Sequence, residues 1–130
     1  MKRTLVIILL AVIVFVIPGC YKVATIQVDN SAAVTKAVSI SKDIIPIFTK
    51  SCALSGCHGS GAHVPDLSAS KAYSSLIKGN YISITEPANS TLYLWLTGKK
   101  SIKMPMGADN NPSNLNSLTL AWITQGAKNN

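Results

Sequence analysis

The feature that most restricts the fold of this chain is a short segment, KSCALSGCHGSGAH, at positions 50–63. It holds two of the three cysteines and both histidines of the 130 residues, and His58 follows Cys57 directly. The compact region is expected to span residues 39–130. A core of about ninety residues with few large aromatic side chains is marginal unless a covalent staple or a cofactor supports it. The fold must therefore be organised around this segment.

The N-terminus predicts export. Met1-Lys2-Arg3 is a short cationic start, and an unbroken apolar run of thirteen residues follows at positions 5–17. A helix that spans a bilayer needs about twenty apolar residues, so the run is typical of the apolar region of an export signal. Residues 1–19 also resemble a bacterial lipoprotein signal, because Gly19-Cys20 matches the small residue and the cysteine of its cleavage box.

That resemblance implies that Cys20 becomes the first residue of the mature chain and carries a lipid anchor. Two alternatives stay open: an uncleaved anchoring helix, and cleavage that leaves Cys20 free. In the lipoprotein interpretation the protein is exported, faces the periplasm and is anchored to the inner or the outer membrane. Residues 20–38 are small and polar without a sustained period, which predicts a flexible tether.

The charge of the chain excludes one class of partner. The formal net charge is +7. Loss of Lys2 and Arg3 with the signal leaves ten basic residues against five acidic ones, or +5. These bases are scattered singly, whereas nucleic-acid binding needs clustered bases and usually an aromatic platform. Nucleic acid is therefore not an expected partner.

The compact region is predicted to be all-α, a small helical bundle with long loops. Asp43 is the expected cap of a first helix through Lys50, with Pro46 in its first turn, where its missing N–H costs nothing. Capping residues and terminal glycines predict three further helices, at positions 70–79, 90–98 and 114–126. Short helices in long loops bury little by themselves, so the loops must wrap around something.

The pattern Cys52-Ala-Leu-Ser-Gly-Cys57-His58 is a lengthened form of the C-x-x-C-H motif that attaches c-type haem. Two thiols add to the two vinyl groups on one edge of the porphyrin, and a histidine directly after the second thiol lies under the iron as an axial ligand. The two extra residues between the cysteines require a looped-out turn, for which Ser55-Gly56 is suitable.

A disulfide and a zinc site stay open as alternatives to haem at this cluster. Cys52 and Cys57 form a disulfide in an oxidising compartment, or they join His58 and His63 in a Cys₂His₂ zinc set. The disulfide accounts for neither histidine. The zinc set requires the adjacent residues Cys57 and His58 to bind one tetrahedral ion, which is sterically awkward.

Both methionines of the mature chain, Met104 and Met106, lie in the polar segment KKSIKMPMGADNNP. A methionine is ordinarily a gap filler in a core, but this segment has no helical or strand period. Haem iron needs a sixth ligand, and a thioether is the usual one where electrons are transferred at raised potential. The segment is therefore a candidate for the distal side of a haem.

Residues 39–130 resemble a class I c-type cytochrome, in particular the C-x-x-x-x-C-H cytochrome domains of bacterial lipoproteins. The matching pieces occur in the family's order and cover nearly the whole domain: SKDIIPIFTKSC, CHGSGA, PDLSAS, PANSTLYLWLTG, KMPMG and LAWITQGAKN. The resemblance implies a cytochrome c-like bundle around one covalently attached haem c. Its first and last helices cross, which would pack Phe48 against Trp122.

The resemblance also implies a set of site residues. His58 is the proximal ligand, and the carbonyl of Pro65 accepts its imidazole N–H. The distal methionine of the family precedes a proline and maps onto Met104, with Met106 as a rival. His63 is either a distal ligand or a surface histidine that contacts a propionate, and both interpretations stay open.

These residues predict a carrier rather than an enzyme, because an iron filled by His58 and Met104 has no open position for a substrate. Lys99, Lys100 and Lys103 flank the distal segment, where they either steer an acidic redox partner or form an ordinary solvated loop. The alternatives are a haem sensor or enzyme subunit with an open iron site, and a non-haem module held by a disulfide or zinc.

Overall fold

The computed structural model describes residues 34–102, 104–106, 111 and 114–130. Within these residues the chain forms helices and turns but no β-strand, which confirms the all-α prediction. In chain order the elements are a π-helical turn Ile40–Ile44, α1 Ile45–Ser51, α2 Ala72–Lys78, a 3₁₀ turn Pro87–Asn89, α3 Thr91–Leu96 and α4 Leu115–Thr124. No helix of this described part is both long enough and apolar enough to cross a membrane.

The first helical segment begins earlier than expected, and the prediction that Asp43 caps it is wrong. The cap is Ser39, whose hydroxyl accepts a hydrogen bond from the N–H of Lys42 at 3.2 Å. Asp43 instead reaches back and accepts from the N–H of Ser39 at 2.8 Å. Two side-chain hydrogen bonds, arranged like those of a capping box, therefore satisfy the N–H groups of Lys42 and Ser39, and Pro46 falls at the start of α1.

The other three helices occur where they are predicted, and Ser90 occupies the cap position of α3 as expected. Ser70 does not cap α2; the cap position is Lys71, because the carbonyl of Ser68 already accepts from the N–H groups of residues 71 and 72. Asn114 does precede α4, but as a left-handed residue with a φ of 71° and without a side-chain capping bond. Gly79 follows α2 directly, as predicted.

One contiguous core joins the helices. Phe48 of α1 and Trp122 of α4 are both fully buried in it, and the π-helical turn contacts α4. The Trp122 ring also meets Tyr73 of α2 edge-on, at 6.4 Å between ring centroids. The helical pattern predicts Ile77 inside, but this side chain is 39% exposed, since it lies at the last turn of α2 beyond the face that holds the buried Leu76.

The two ends of the described chain are tied together. Val38 is buried, and its N–H donates to Gln125 Oε1 at 2.8 Å. The backbone carbonyl of Asn130 accepts from the hydroxyls of Ser39 at 2.7 Å and Ser41 at 2.6 Å. Contacts with the core therefore extend to residues before position 39.

Candidate functional site

The loop between the two cysteines grows directly out of α1. The N–H groups of Cys52 and Ala53 both donate to the carbonyl of Phe48, at 2.8 and 2.7 Å. A tight turn follows, closed by a 3.0 Å bond from the N–H of Cys57 to the carbonyl of Leu54. Gly56 has a φ of 75° in this turn, a conformation that glycine adopts without steric cost. The looped-out turn predicted at Ser55-Gly56 is therefore confirmed.

The loop returns to its own start at His58. The N–H of His58 donates to the carbonyl of Cys52 at 3.0 Å, which closes a ring of backbone around the turn. A Cβ on Gly59 would lie 3.1 Å from the carbonyl oxygen of Leu54 and 3.2 Å from that of Ala53. Only a residue without a side chain passes this close to the loop easily. The backbone therefore holds Cys57 and His58 in a defined position behind Cys52.

Within the described part of the chain, the imidazole of His58 has one hydrogen-bond partner. Its Nδ1 lies 3.0 Å from the carbonyl oxygen of Pro65, the contact that the cytochrome resemblance implies. A carbonyl oxygen can only accept, so the hydrogen bond requires the proton on Nδ1 and leaves the lone pair on Nε2. The backbone carbonyl of His58 in turn accepts from the N–H of Leu67 at 2.7 Å. The ring is therefore oriented and Nε2 is available to a metal.

A second network fixes the turn that carries Pro65. Asp66 Oδ1 accepts from the hydroxyl of Ser68 at 2.5 Å and from its N–H at 3.0 Å. These hydrogen bonds from Ser68, with the nearby Lys71 ammonium, lower the pKa of Asp66. Lys71 Nζ also donates to Ser60 Oγ at 3.0 Å. Sequence analysis missed Asp66, although its Asp-x-Ser spacing is a recognisable turn signal.

The two cysteines in the loop are free thiols in different surroundings. Cys57 is exposed, whereas Cys52 is half-buried. Burial, and after it the charge of Cys57, raises the pKa of the Cys52 thiol to about 11. Among the described residues no three His, Cys, Asp or Glu side chains gather in a group that could hold a metal ion.

His63 lies on the same loop as His58. Its N–H donates to the carbonyl of Cys57 at 2.9 Å, and its side chain is exposed to solvent. Its backbone is thus bonded to that of Cys57, and in the described ranges it joins no group of three metal-ligating side chains. Its two predicted roles both stay predictions.

The two methionines differ in their surroundings. Met104 is half-buried, and its N–H donates to the carbonyl of Trp95, at the end of α3, at 3.2 Å. Met106 is 73% exposed. The Trp95 ring packs against Tyr81, with 5.5 Å between ring centroids. The contacts of the described residues therefore fasten Met104, and not Met106, to the helical body.

Large apolar side chains are exposed on both candidate segments. Leu54 and Val64, on the loop around His58, are 48% and 77% exposed, and Ile102, beside Met104, is 51% exposed. Apolar side chains exposed singly are ordinary on protein surfaces and do not mark a ligand by themselves. The donor chemistry is what suits a c-type haem: the thiols of Cys52 and Cys57 and the imidazole of His58 are the groups that would hold one.

Some predicted residues lie outside the described part of the chain. These are the signal of residues 1–19, Cys20 with most of the tether, and Lys103. Lys99 and Lys100 are described, and both are exposed. No family model, no curated protein and no solved structure matches this chain.

Proposed function

We propose that this protein is a monohaem c-type cytochrome that carries one electron at a time on the extracytoplasmic side of a membrane. The observation that carries the proposal is the pairing of His58 Nδ1 with the Pro65 carbonyl at 3.0 Å. This hydrogen bond occupies Nδ1 and leaves Nε2 to bind a metal, on a histidine that directly follows Cys57. A surface histidine has no need of such an arrangement, whereas a metal-ligating histidine almost always has it.

Each residue of the site has a task in this proposal. Cys52 and Cys57 would hold the haem by two thioether bonds, and His58 Nε2 and the Met104 thioether would supply the two protein ligands of its iron. The bound haem supplies a one-electron iron couple. The protein orients the imidazole through Pro65, shields the group from water with apolar side chains, and leaves no iron position open to a substrate.

Met104 is the better distal candidate of the two methionines. Its backbone is held by the carbonyl of Trp95, and its side chain is half-buried. Fixing a ligand beforehand reduces the entropy lost when it binds a metal. The 73% exposure of Met106 leaves that side chain to be ordered entirely at the moment of binding.

Partners follow from charge and from the N-terminus. Lys99 and Lys100 are exposed on the segment that leads to Met104, and we include in the proposal that they attract an acidic redox protein. Reversing both charges together with Lys103 should slow electron transfer to an acidic acceptor at low salt. An unchanged rate would remove this part. A lipid on Cys20 would tether the domain to its membrane.

The experiment that tests the proposal is a haem stain after denaturing electrophoresis, since only covalently attached haem survives it. The chain should be expressed with its signal in a host that matures c-type cytochromes. The unaltered protein should stain, and a Cys52→Ala, Cys57→Ala double variant should not. The control variant is Ser51→Ala, Ser55→Ala, which changes two neighbouring hydroxyls and should stain fully.

The alternatives have distinct outcomes in the same material. Colourless protein from a competent host would refute the proposal and leave a disulfide- or zinc-held module. Stained protein without the thioether-to-iron absorption band would point to an open iron site and hence to a sensor or an enzyme subunit.

A further inference from the structure

The peptide unit between Pro65 and Asp66 is hydrogen-bonded at both of its polar ends. Its carbonyl oxygen accepts from His58 Nδ1 at 3.0 Å. Its N–H, which belongs to Asp66, donates to the hydroxyl oxygen of Ser75 at 2.9 Å. Ser75 lies in α2, so a single amide connects that helix to the imidazole of the candidate axial ligand.

We propose that Ser75 is a positioning residue that tunes the iron through this amide, an inference that rests on the proposed haem function. Hydrogen bonds in a chain polarise one another. When Ser75 accepts the N–H of the amide, the carbonyl oxygen at the other end becomes more negative and a stronger acceptor. His58 then gains electron density, which makes Nε2 a stronger donor and favours ferric over ferrous iron.

The surroundings keep this amide from turning away. The carboxylate of Asp66 is held by Ser68 on one side and lies 3.7 Å from the Lys71 ammonium on the other. Ser75 itself is fixed by its place in α2, where its N–H donates to the carbonyl of Lys71 at 2.8 Å. Rotation of the Pro65–Asp66 amide would break contacts at both ends and those of the carboxylate. The relay is therefore a fixed property of the fold.

The test compares two serines of the same helix. Ser75→Ala removes the acceptor of the Asp66 N–H. Ser74→Ala is the matched control, because Ser74 is exposed and its hydroxyl donates to the carbonyl of Lys71 at 3.0 Å rather than accepting from Asp66. Ser75→Thr is the conservative variant: its hydroxyl can donate to a helix carbonyl, as Thr49 does to Ile45, and still accept from Asp66.

The first readout is the reduction potential of the holoprotein. Loss of the group that hydrogen-bonds a ligating histidine lowers metal affinity or activity about ten- to a hundredfold. An effect passed on through one amide should be smaller, and we expect a roughly threefold change in the equilibrium between ferric and ferrous iron. For a one-electron couple a tenfold change is about 59 mV, so threefold is about 28 mV. We expect Ser75→Ala to raise the potential by about that amount with the thioether band retained. Ser74→Ala and Ser75→Thr should stay close to the unaltered protein.

The second readout does not depend on electron transfer. The amide proton of Asp66 should exchange slowly with solvent in the unaltered protein and faster in Ser75→Ala. Fast exchange in the unaltered protein overturns the relay even if the variant fails to fold. A potential that shifts equally in Ser74→Ala and Ser75→Ala also overturns it. These failures differ from failure of the proposed function, which shows itself as absence of the haem stain.

Discussion

Replacement of Gly79 by alanine is a sharp test of how tightly α2 packs beside the candidate distal segment. The Cβ of the alanine would lie 2.2 Å from Cε2 and 2.7 Å from Cδ2 of the Tyr81 ring. That ring cannot move freely, because it packs on the ring of Trp95. The backbone of Tyr81 is also held: its N–H donates to the carbonyl of Leu76, and its carbonyl accepts from the N–H of Leu92. The φ of Gly79 is −83°, so alanine meets no backbone strain there.

The sign of the effect follows from two opposing contributions. Gly-to-Ala changes at sites with permissive backbone stabilise by about 0.4–1 kcal/mol. Forcing extra atoms into a packed site costs about 1–3 kcal/mol, so the central values, about 2 kcal/mol of cost and about 0.7 kcal/mol of gain, give a net loss of about 1.3 kcal/mol in the free energy of unfolding for Gly79→Ala. For a domain of this size that lowers Tm by at least about 4 °C.

Making Gly79→Ala in a second protein, the Tyr81→Ala variant, separates the effect of packing from the effect of the backbone. In a Tyr81→Ala variant the ring is gone, and Gly79→Ala should then no longer destabilise but stabilise by up to about 1 kcal/mol. Urea unfolding of the unaltered protein, the two single variants and the double variant gives the coupling free energy between positions 79 and 81. An equal cost of Gly79→Ala in both backgrounds, or a raised Tm in the unaltered background, would refute the reasoning.

Two further outcomes are expected. Met104→Ala should abolish the thioether-to-iron absorption band, whereas Met106→Ala should retain it; the reverse result in absorption spectra would exchange the two assignments. The hydrogen bond from the Ser39 N–H, aided by Lys36, lowers the pKa of Asp43 in the folded protein. The ionised carboxylate therefore stabilises the fold. This stabilisation is complete above the unfolded pKa of about 4 and is lost as the pH falls through the lowered folded pKa. Acid titration of unfolding should therefore show a shallower decline in Asp43→Asn, and an identical decline would contradict the assignment.

The helical segments were predictable because their signals are local. Gly79 directly after α2, the left-handed Gly98 and Gly126 after the next two helices, and the apolar spacing of Leu115, Leu118 and Trp122 lie within the few residues that a helix end or face occupies. The looped-out turn at Ser55-Gly56 belongs to the same class, since a backbone with positive φ selects glycine wherever the rest of the chain lies.

The capping residues were less predictable because several hydroxyls and carboxylates compete for the same donors. Ser39 and Asp43 are four residues apart, and both can accept a backbone N–H. Asn130, ninety residues away, places its oxygens at the same helix start, with Oδ1 accepting from the N–H of Ile40 at 3.1 Å. A contact of this range has no trace in the local pattern, so the cap could only be assigned in the folded chain.

At the candidate site, too, local features could be predicted from the sequence and long-range contacts could not. Sequence alone established which chemical groups stand together: two thiols and an imidazole in seven consecutive positions, and a thioether in a polar loop. Tertiary structure decided which ring nitrogen of His58 carries the proton, which methionine is fastened to α3, and that Ser75 holds the far end of the Pro65–Asp66 amide. The sequence itself specifies which groups are neighbours along the chain. Which groups hydrogen-bond to each other depends on where the fold places residues that are distant in sequence.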